Sequence, residues 1–375
     1  MCPILERFKV LRSIRSVINR REVVGSSPPS VFIGEYGYPN VKAGILIPPM
    51  RGDTSYLDNP LRWENVSIGD ILYYRSILVM GERRINVYSR FQELQELAAS
   101  IKPVDCEAKL ERKPNLKILS NGFSPPISPT APLLSFKVFE NPKIPRKVDK
   151  IIFDEVKAKD AVTYLYNCGF NDYYIVRLFS AGLLGVEKRL VPTRWSITAV
   201  QDIVADFLRK RISTFESIDE FELYFCEFLG NRYSVLLIPG NYSFELLEVW
   251  LRGSIFGSEN PRVLCDYEDR KGLKRYPDET LGAYHAARLS VLEYLRSINR
   301  QARVIVFREI TPNYYLPVGV WQIRVGVRKA LRNKIGVFDD LSEVLAKLKE
   351  LLLFPLKKYI ERSKILGQRT LSSYV

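Results

Sequence analysis

Asn231 to Trp250 reads NRYSVLLIPGNYSFELLEVW, and two segments of different character meet in it. Tyr233 to Ile238 is rich in β-branched and aromatic residues, as a strand requires, and Pro239-Gly240 stops it. Phe244 to Leu251 is then expected to form a helix. The same mixture continues on both sides. Upstream, Ala158 to Cys168 and Asp172 to Ala181 predict helices, the second closed by Gly182 and Gly185. Ser196 or Thr198 is a natural N-cap for a helix to about Ile212, with Ile197, Val200, Val204 and Leu208 on one face. Downstream, Thr280 to Asn299 reads as a helix and Val304 to Phe307 as a buried strand. VWQIRVGVRKAL alternates like a strand through Val327, yet Val320, Ile323, Val327 and Leu331 also fit one helical face, so both readings stay open. Helices and strands interleave without regular βαβ spacing or a Gly-rich phosphate fingerprint. The fold class is therefore mixed α/β of the α+β kind: a smaller N-terminal unit, a larger C-terminal α/β unit and a flexible C-terminal peptide.

Composition shifts suggest the divisions. Residues 1–30 form a basic N-terminal segment. Residues 31–102 form a first domain, in which VFIGEYGYPNVKAGILIPP is strand-like, Gly34, Gly37, Pro39 and Gly44 mark turns, and Phe91 to Ile101 closes as a helix. Residues 103–147 read as an extended connector, because Pro125, Pro126, Pro129, Pro132, Pro142 and Pro145 oppose a continuous helix or a central strand. Residues 148–335 form the α/β domain, 336–366 an amphipathic helical region interrupted at Pro355, and 367–375 a tail.

A chain of 375 residues with 46% hydrophobic content can bury a large core without disulfides. Its five cysteines are odd in number and scattered with no CxxC pair, which favours a reducing compartment and argues against a zinc ribbon. No zinc is expected, and whether another cofactor such as a nucleotide is bound stays open. No apolar run approaches the ~20 residues that cross a bilayer, and MCPILERFKVLRSIRSVINRR has charges where a signal peptide needs an apolar centre. A cytoplasmic protein without a membrane partner is expected. The formal charge of +14 points to a polyanionic partner, nucleic acid first. Walker A, HExxH and GxSxG patterns are absent.

The basic residues fall in places where they can act. KRLVPTRWS puts Lys188, Arg189, Arg194 and Trp195 just ahead of a helix N-terminus, where free amides and the helix dipole also favour an anion. Arg232-Tyr233 precedes a strand, Arg308-Glu309 follows one, and Arg270, Lys271, Lys274 and Arg275 surround Gly272 in an exposed loop. The single histidine, His285, has Arg288 on the same side of its helix. His285 and Glu309 are the candidate acid–base groups. Glu245, Glu248, Glu268 and Glu309 would have to converge in space to form a carboxylate site.

The chain closes Gln368-Arg369-Thr370-Leu371-Ser372-Ser373-Tyr374-Val375. This is similar to the peptide that binds the DNA sliding clamp (PCNA), a glutamine followed by an aliphatic residue at the third position and an aromatic at the sixth. In a 3₁₀ turn Leu371 and Tyr374 eclipse and enter one apolar pocket while Gln368 makes polar contacts beside it. At this position a random match is expected about once in two thousand chains of this composition. Val375 stands where a second aromatic is usual, so less apolar area is buried.

Seven segments together resemble the archaeal Nre family of DNA repair proteins: GEYGYPNVKAG (34–44), RLVPTRWSIT (189–198), NRYSVLLIPG (231–240), FELLEVW (244–250), GAYHAARLSVLEYL (282–295), RQARVIVFREI (300–310) and PVGVWQIR (317–324). The resemblance implies repair of DNA damage alongside the clamp and other repair proteins. Many relatives begin with a cysteine-rich, zinc-type segment; here only Cys2 remains of it. Three functions follow. The first is a clamp-recruited factor that grips DNA with Arg189, Arg194, Arg232, Arg288, Arg308 and Arg324. The second is a nucleotide-binding or nucleic-acid-processing enzyme with a site around Arg194, Trp195, His285, Arg308 and Glu309. The third is a clamp-bound adaptor with no DNA affinity of its own.

Overall fold

A computed structural model describes residues 3–115, 128–273 and 275–367. The fold is α+β, and the chain divides into two compact units at Val204–Ala205. Each unit holds a six-stranded mixed sheet among its described residues. No helix among those residues is long and apolar enough to cross a membrane.

The first unit begins with α1 (Pro3–Ile18), β1 (Glu22–Ser27), β2 (Ser30–Ile33) and β3 (Asn40–Ile47), followed by α2 (Ile68–Ile77), β4 (Val79–Asn86) and α3 (Gln92–Ala99). It continues with β5 (Val104–Leu110), β6 (Thr130–Val138), α4 (Arg146–Phe153), α5 (Ala158–Asn167), α6 (Asp172–Ser180) and α7 (Thr193–Ile212), the last running past the division. The sheet order is β1-β5-β6-β4-β3-β2, with β4 and β6 parallel and all other pairs antiparallel. Ser67 and Asp70 form a reciprocal capping box that starts α2.

Two expectations change here. The proline-rich stretch supplies β5 and β6, which lie inside the sheet. Pro132 is tolerated because it lies opposite Glu111, one residue past the end of β5, where its missing amide breaks no bond within that strand and its carbonyl still accepts the Glu111 amide at 3.0 Å. Gly44 lies within β3 rather than at a turn; a side chain there would meet Met80 at 2.7 Å.

The second unit contains β7 (Phe221–Phe228), β8 (Asn231–Ile238), β9 (Ser243–Trp250), β10 (Leu264–Glu268), α8 (Gly282–Ser297), β11 (Arg303–Ile310), α9 (Trp321–Ala330), β12 (Lys334–Phe338), α10 (Leu341–Leu351), α11 (Leu356–Arg362) and α12 (Lys364–Gly367). Its order is β10-β9-β11-β8-β7-β12, with β9 and β11 parallel. One face packs on α10, α11 and α12 through Leu236, Leu247, Val249, Ile305 and Phe307 against Val344, Leu348, Tyr359 and Ile365. On the other face Tyr233, Val235, Phe244, Leu246, Val304 and Val306 are buried, with Phe244 edge-on to Tyr284 of α8 and the Tyr233 hydroxyl donating to Gln322 Oε1 of α9 at 2.5 Å.

SFELLEVW is therefore a strand, where a helix was expected. It lies between β10 and β11 with both faces covered, and a doubly covered strand tolerates a nearly continuous apolar run whatever its helix propensity. VWQIRVGVRKAL resolves as the helix α9, and Gly326 is what lets that helix approach the sheet. A Cβ on Gly326 would stand 2.3 Å from the Tyr233 ring. Helix α7 starts at Thr193, ahead of Ser196: the Ser196 amide already donates to the Pro192 carbonyl at 2.9 Å, and the fixed φ of proline suits a helix entrance.

Candidate nucleic-acid interface

Three segments of the first unit meet at the entrance of α7. The first is the β2–β3 loop, GEYGYP, where Gly37 takes φ +83° and the Asn40 amide donates to the Gly37 carbonyl at 2.8 Å. The second is the turn after β4, held when the Val87 amide donates to Pro39 and the Tyr88 amide to Asn86 Oδ1. The third is residues 187–195, joined to the others by the Leu190 amide donating to Val87 at 2.8 Å and the Ile33 amide donating to Thr193 Oγ1 at 2.9 Å. Backbone bonds thus fix all three.

Glu35 organises the side chains on this frame. Its Oε1 accepts from the Arg194 guanidinium at 3.1 Å and its Oε2 from the Trp195 indole N–H at 3.2 Å. The Trp195 ring lies against Tyr38, centroids 5.2 Å apart and tilted by 44°. Arg189 donates to the Tyr88 hydroxyl at 3.3 Å and pairs with Glu187 at 3.0 Å. The Arg84 guanidinium comes up under Gly37, 2.8 Å from where a Cβ would stand.

These rings are open to solvent: Tyr36 is 80% exposed, Tyr88 63%, Trp195 45% and Tyr38 40%. The Arg194 side chain is 73% exposed, so its pair with Glu35 is worth less than ~1 kcal/mol and leaves the guanidinium available. Of the sequence candidates, Arg189, Arg194 and Trp195 come together here. Glu35, Tyr36, Tyr38, Tyr88 and Arg84 join them without having been singled out; aromatic residues packed between turn-forming glycines and a proline are the signal that marks them.

The remaining candidates belong to the second unit and serve its interior. Arg308 is buried, donates to Glu248 at 2.5 Å and to Asn231 Oδ1 at 2.8 and 3.1 Å, and lies 5.7 Å from the Trp250 ring. Arg288 is buried and donates to Glu268 at 2.8 Å; the same oxygen accepts the Tyr242 hydroxyl at 2.7 Å. Arg324 is buried within α9. Arg232 lies over the Phe225 ring, pairs with Glu227 and donates to the Leu351 carbonyl at 2.8 Å. His285 is buried near Tyr276 and Tyr284, ring centroids 5.4 and 5.9 Å away.

The four glutamates do not converge. Glu248 faces Arg308, and Glu268 faces Arg288. Glu309 and Glu245 lie on the opposite face of the sheet. Glu309 accepts from the Leu353 and Phe354 amides and the Tyr359 hydroxyl, and Glu245 accepts from the Ser363 hydroxyl and the Lys364 amide. Burial raises the pKa of both carboxyls, held back by these donors. Their geometry is that of fasteners for the C-terminal helices.

In the loop after β10, Arg270, Lys271 and Arg275 are exposed, whereas Gly272 is buried against Arg209. Lys274 and the clamp-type residues Gln368, Leu371, Tyr374 and Val375 lie outside the described residues. Among the described residues no group of three or more His, Cys, Asp or Glu side chains is placed to hold a metal ion.

Comparison with known proteins gives a consistent result. Residues 1–257 match the family model described as "Archaeal Nre, N-terminal" and residues 268–374 match "Archaeal Nre, C-terminal". The chain is 42% identical to the DNA repair protein NreA of Archaeoglobus fulgidus, over 92% of this chain and 88% of the relative. It is 33% identical to the DNA repair protein NreB of the same organism, over 100% and 96%, and 38% identical to the DNA repair protein NreA of Haloferax volcanii, over 88% and 82%. No solved structure matches.

Proposed function

Because the chain belongs to the archaeal Nre family, we propose that it is a cytoplasmic DNA repair factor that binds DNA through the basic surface at the entrance of α7 and is brought to DNA by the sliding clamp. The repair role is supported by three relatives, each named a DNA repair protein and each matched over most of its length. The observation that carries the DNA-binding part is the exposed Arg194 guanidinium sharing Glu35 with Trp195, with the half-exposed Arg189 held on Tyr88 of the same surface, on a chain of charge +14. Arg288, Arg308 and Arg324 are enclosed in the second unit, so phosphate contact is assigned to the exposed arginines. Recruitment rests on the sequence pattern of Gln368, Leu371, Tyr374 and Val375.

Binding of the full chain and of a version lacking Gln368 to Val375, to the clamp and to DNA across a salt series, tests this reading. Truncation is expected to abolish clamp binding and to leave a DNA affinity that falls steeply with salt, as counterion release dictates. Clamp binding that survives truncation removes the tail from the reading. A DNA affinity indifferent to salt, or none, removes the basic surface.

A further inference from the structure

We propose that the surface formed by Tyr36, Tyr38, Tyr88 and Trp195 is a stacking platform for unpaired bases, so that the nucleic acid taken by this protein is single-stranded or splayed. The inference rests on the DNA-binding reading above and adds to it the state of the strand.

The rings, more than the charges, carry the argument. Arginines alone would suit any phosphate backbone, and duplex DNA offers phosphates while hiding its base faces. Tyr38, Tyr88 and Trp195 held open beside those arginines, with Tyr36 exposed on the same loop as Tyr38, have no use for a backbone; what they match is a base whose face is free. Sequence-tolerant single-strand sites combine these two ingredients, a cationic track and aromatic faces.

The local geometry is prearranged for this. Glu35 ties the edge of the indole through its N–H, which leaves the ring face free while fixing its direction. Tyr38 and Trp195 already touch, so a base stacks on the outer side of the pair; there is no slot between them to enter. Tyr88 carries Arg189 on its hydroxyl, placing a guanidinium at the rim of a second exposed ring. The loop bearing Tyr36 and Tyr38 turns through Gly37, beneath which Arg84 sits. Cation, ring, ring and cation therefore occur together on three segments fixed by backbone hydrogen bonds. Tyrosine, tryptophan and arginine also gather at protein contacts, and what favours a nucleic acid strand as the occupant is that these guanidiniums lie on a chain of formal charge +14.

The experiment uses the full chain and a short labelled oligonucleotide, single-stranded or annealed as a blunt duplex, at fixed salt. Trp195→Ala is expected to weaken single-strand binding about tenfold, with a smaller effect on the duplex, and Trp195→Phe to restore most of the loss. Tyr36→Ala/Tyr88→Ala removes two rings that are mostly exposed, so it tests the same surface without disturbing packing and is expected to act in the same direction. Single strands are also expected to quench the tryptophan fluorescence of the parent, and to leave that of Trp195→Phe nearly unchanged. If both alanine variants bind single strands as tightly as the parent while salt-sensitive affinity persists, the platform is refuted and the basic-surface reading stands. If the parent binds neither single strand nor duplex, both fall, and the exposed rings are a protein contact.

Discussion

The Tyr359 hydroxyl of α11 donates a 3.1 Å hydrogen bond to the carboxylate of Glu309 in β11, fifty residues earlier in the chain. The Leu353 and Phe354 amides reach the same carboxylate at 2.7 to 3.0 Å, so one strand side chain receives the connection between α10 and α11. Glu245 in β9 does the same for the start of α12 through Ser363 and Lys364.

Glu309→Ala is expected to destabilise the protein by about 2 kcal/mol, since the buried Tyr359 hydroxyl and the partly buried Leu353 and Phe354 amides lose their acceptor and an unmet buried group costs about 1–3 kcal/mol before relaxation. Glu309→Gln keeps one carbonyl oxygen and should cost less. Urea unfolding of the two variants measures the difference, and limited trypsin cleavage at Lys357 and Lys358 should accelerate in the alanine variant first. Equal stability of alanine variant and parent would contradict the fastening role.

The same carboxyls give a pH signature. Burial raises their folded pKa above the ordinary 4.5, so the fold holds these protons more tightly than the unfolded chain does. Their contribution to stability is complete below that pH and is lost as pH rises through the raised folded values. Glu245→Gln/Glu309→Gln has nothing to titrate at either position, and its urea midpoint should decline less than the parent's between pH 4.5 and neutrality. Parallel pH profiles would show that neither carboxyl is perturbed in this direction.

Arg308 and Glu248 sit directly opposite each other across the parallel β9–β11 pair, both buried. Arg308→Met strands a buried carboxylate and is expected to cost about 3–5 kcal/mol, whereas Arg308→Met/Glu248→Gln should recover much of it, because two neutral partners carry no uncompensated charge. A double-mutant cycle in urea gives the coupling; simple additivity would mean that the two groups do not sense each other.

Much of this architecture was legible in the sequence, and the failures share a cause. Helices α5, α6 and α8 and strands β8 and β11 follow apolar periodicity that local chemistry decides, with Asn171 capping α6. SFELLEVW and the proline-rich stretch depend on what lies beside them, a covering layer in one case and a partner strand that ends before Pro132 in the other, and no window of neighbouring residues contains that information. The candidate surface was half visible. KRLVPTRWS is visible in the sequence because Arg189 and Arg194 fall within one short stretch, whereas Glu35, Tyr38 and Tyr88 arrive from more than a hundred residues away. Arg288 and Arg308 read as phosphate ligands because an arginine in sequence does not reveal that Glu268 and Glu248 already hold it.

Arg308 and Glu309 are consecutive in β11, and each meets its partners on a different side of the sheet. Were the strand to misalign with β8 and β9 by a single residue, the guanidinium would turn towards the C-terminal helices and the carboxylate towards Trp250, each deprived of its counterpart. An apolar strand that slips merely exchanges one greasy face for another; this one would strand two opposite charges in the interior at once. The neighbouring pair therefore penalises the misaligned sheet by the burial of two unmatched charges.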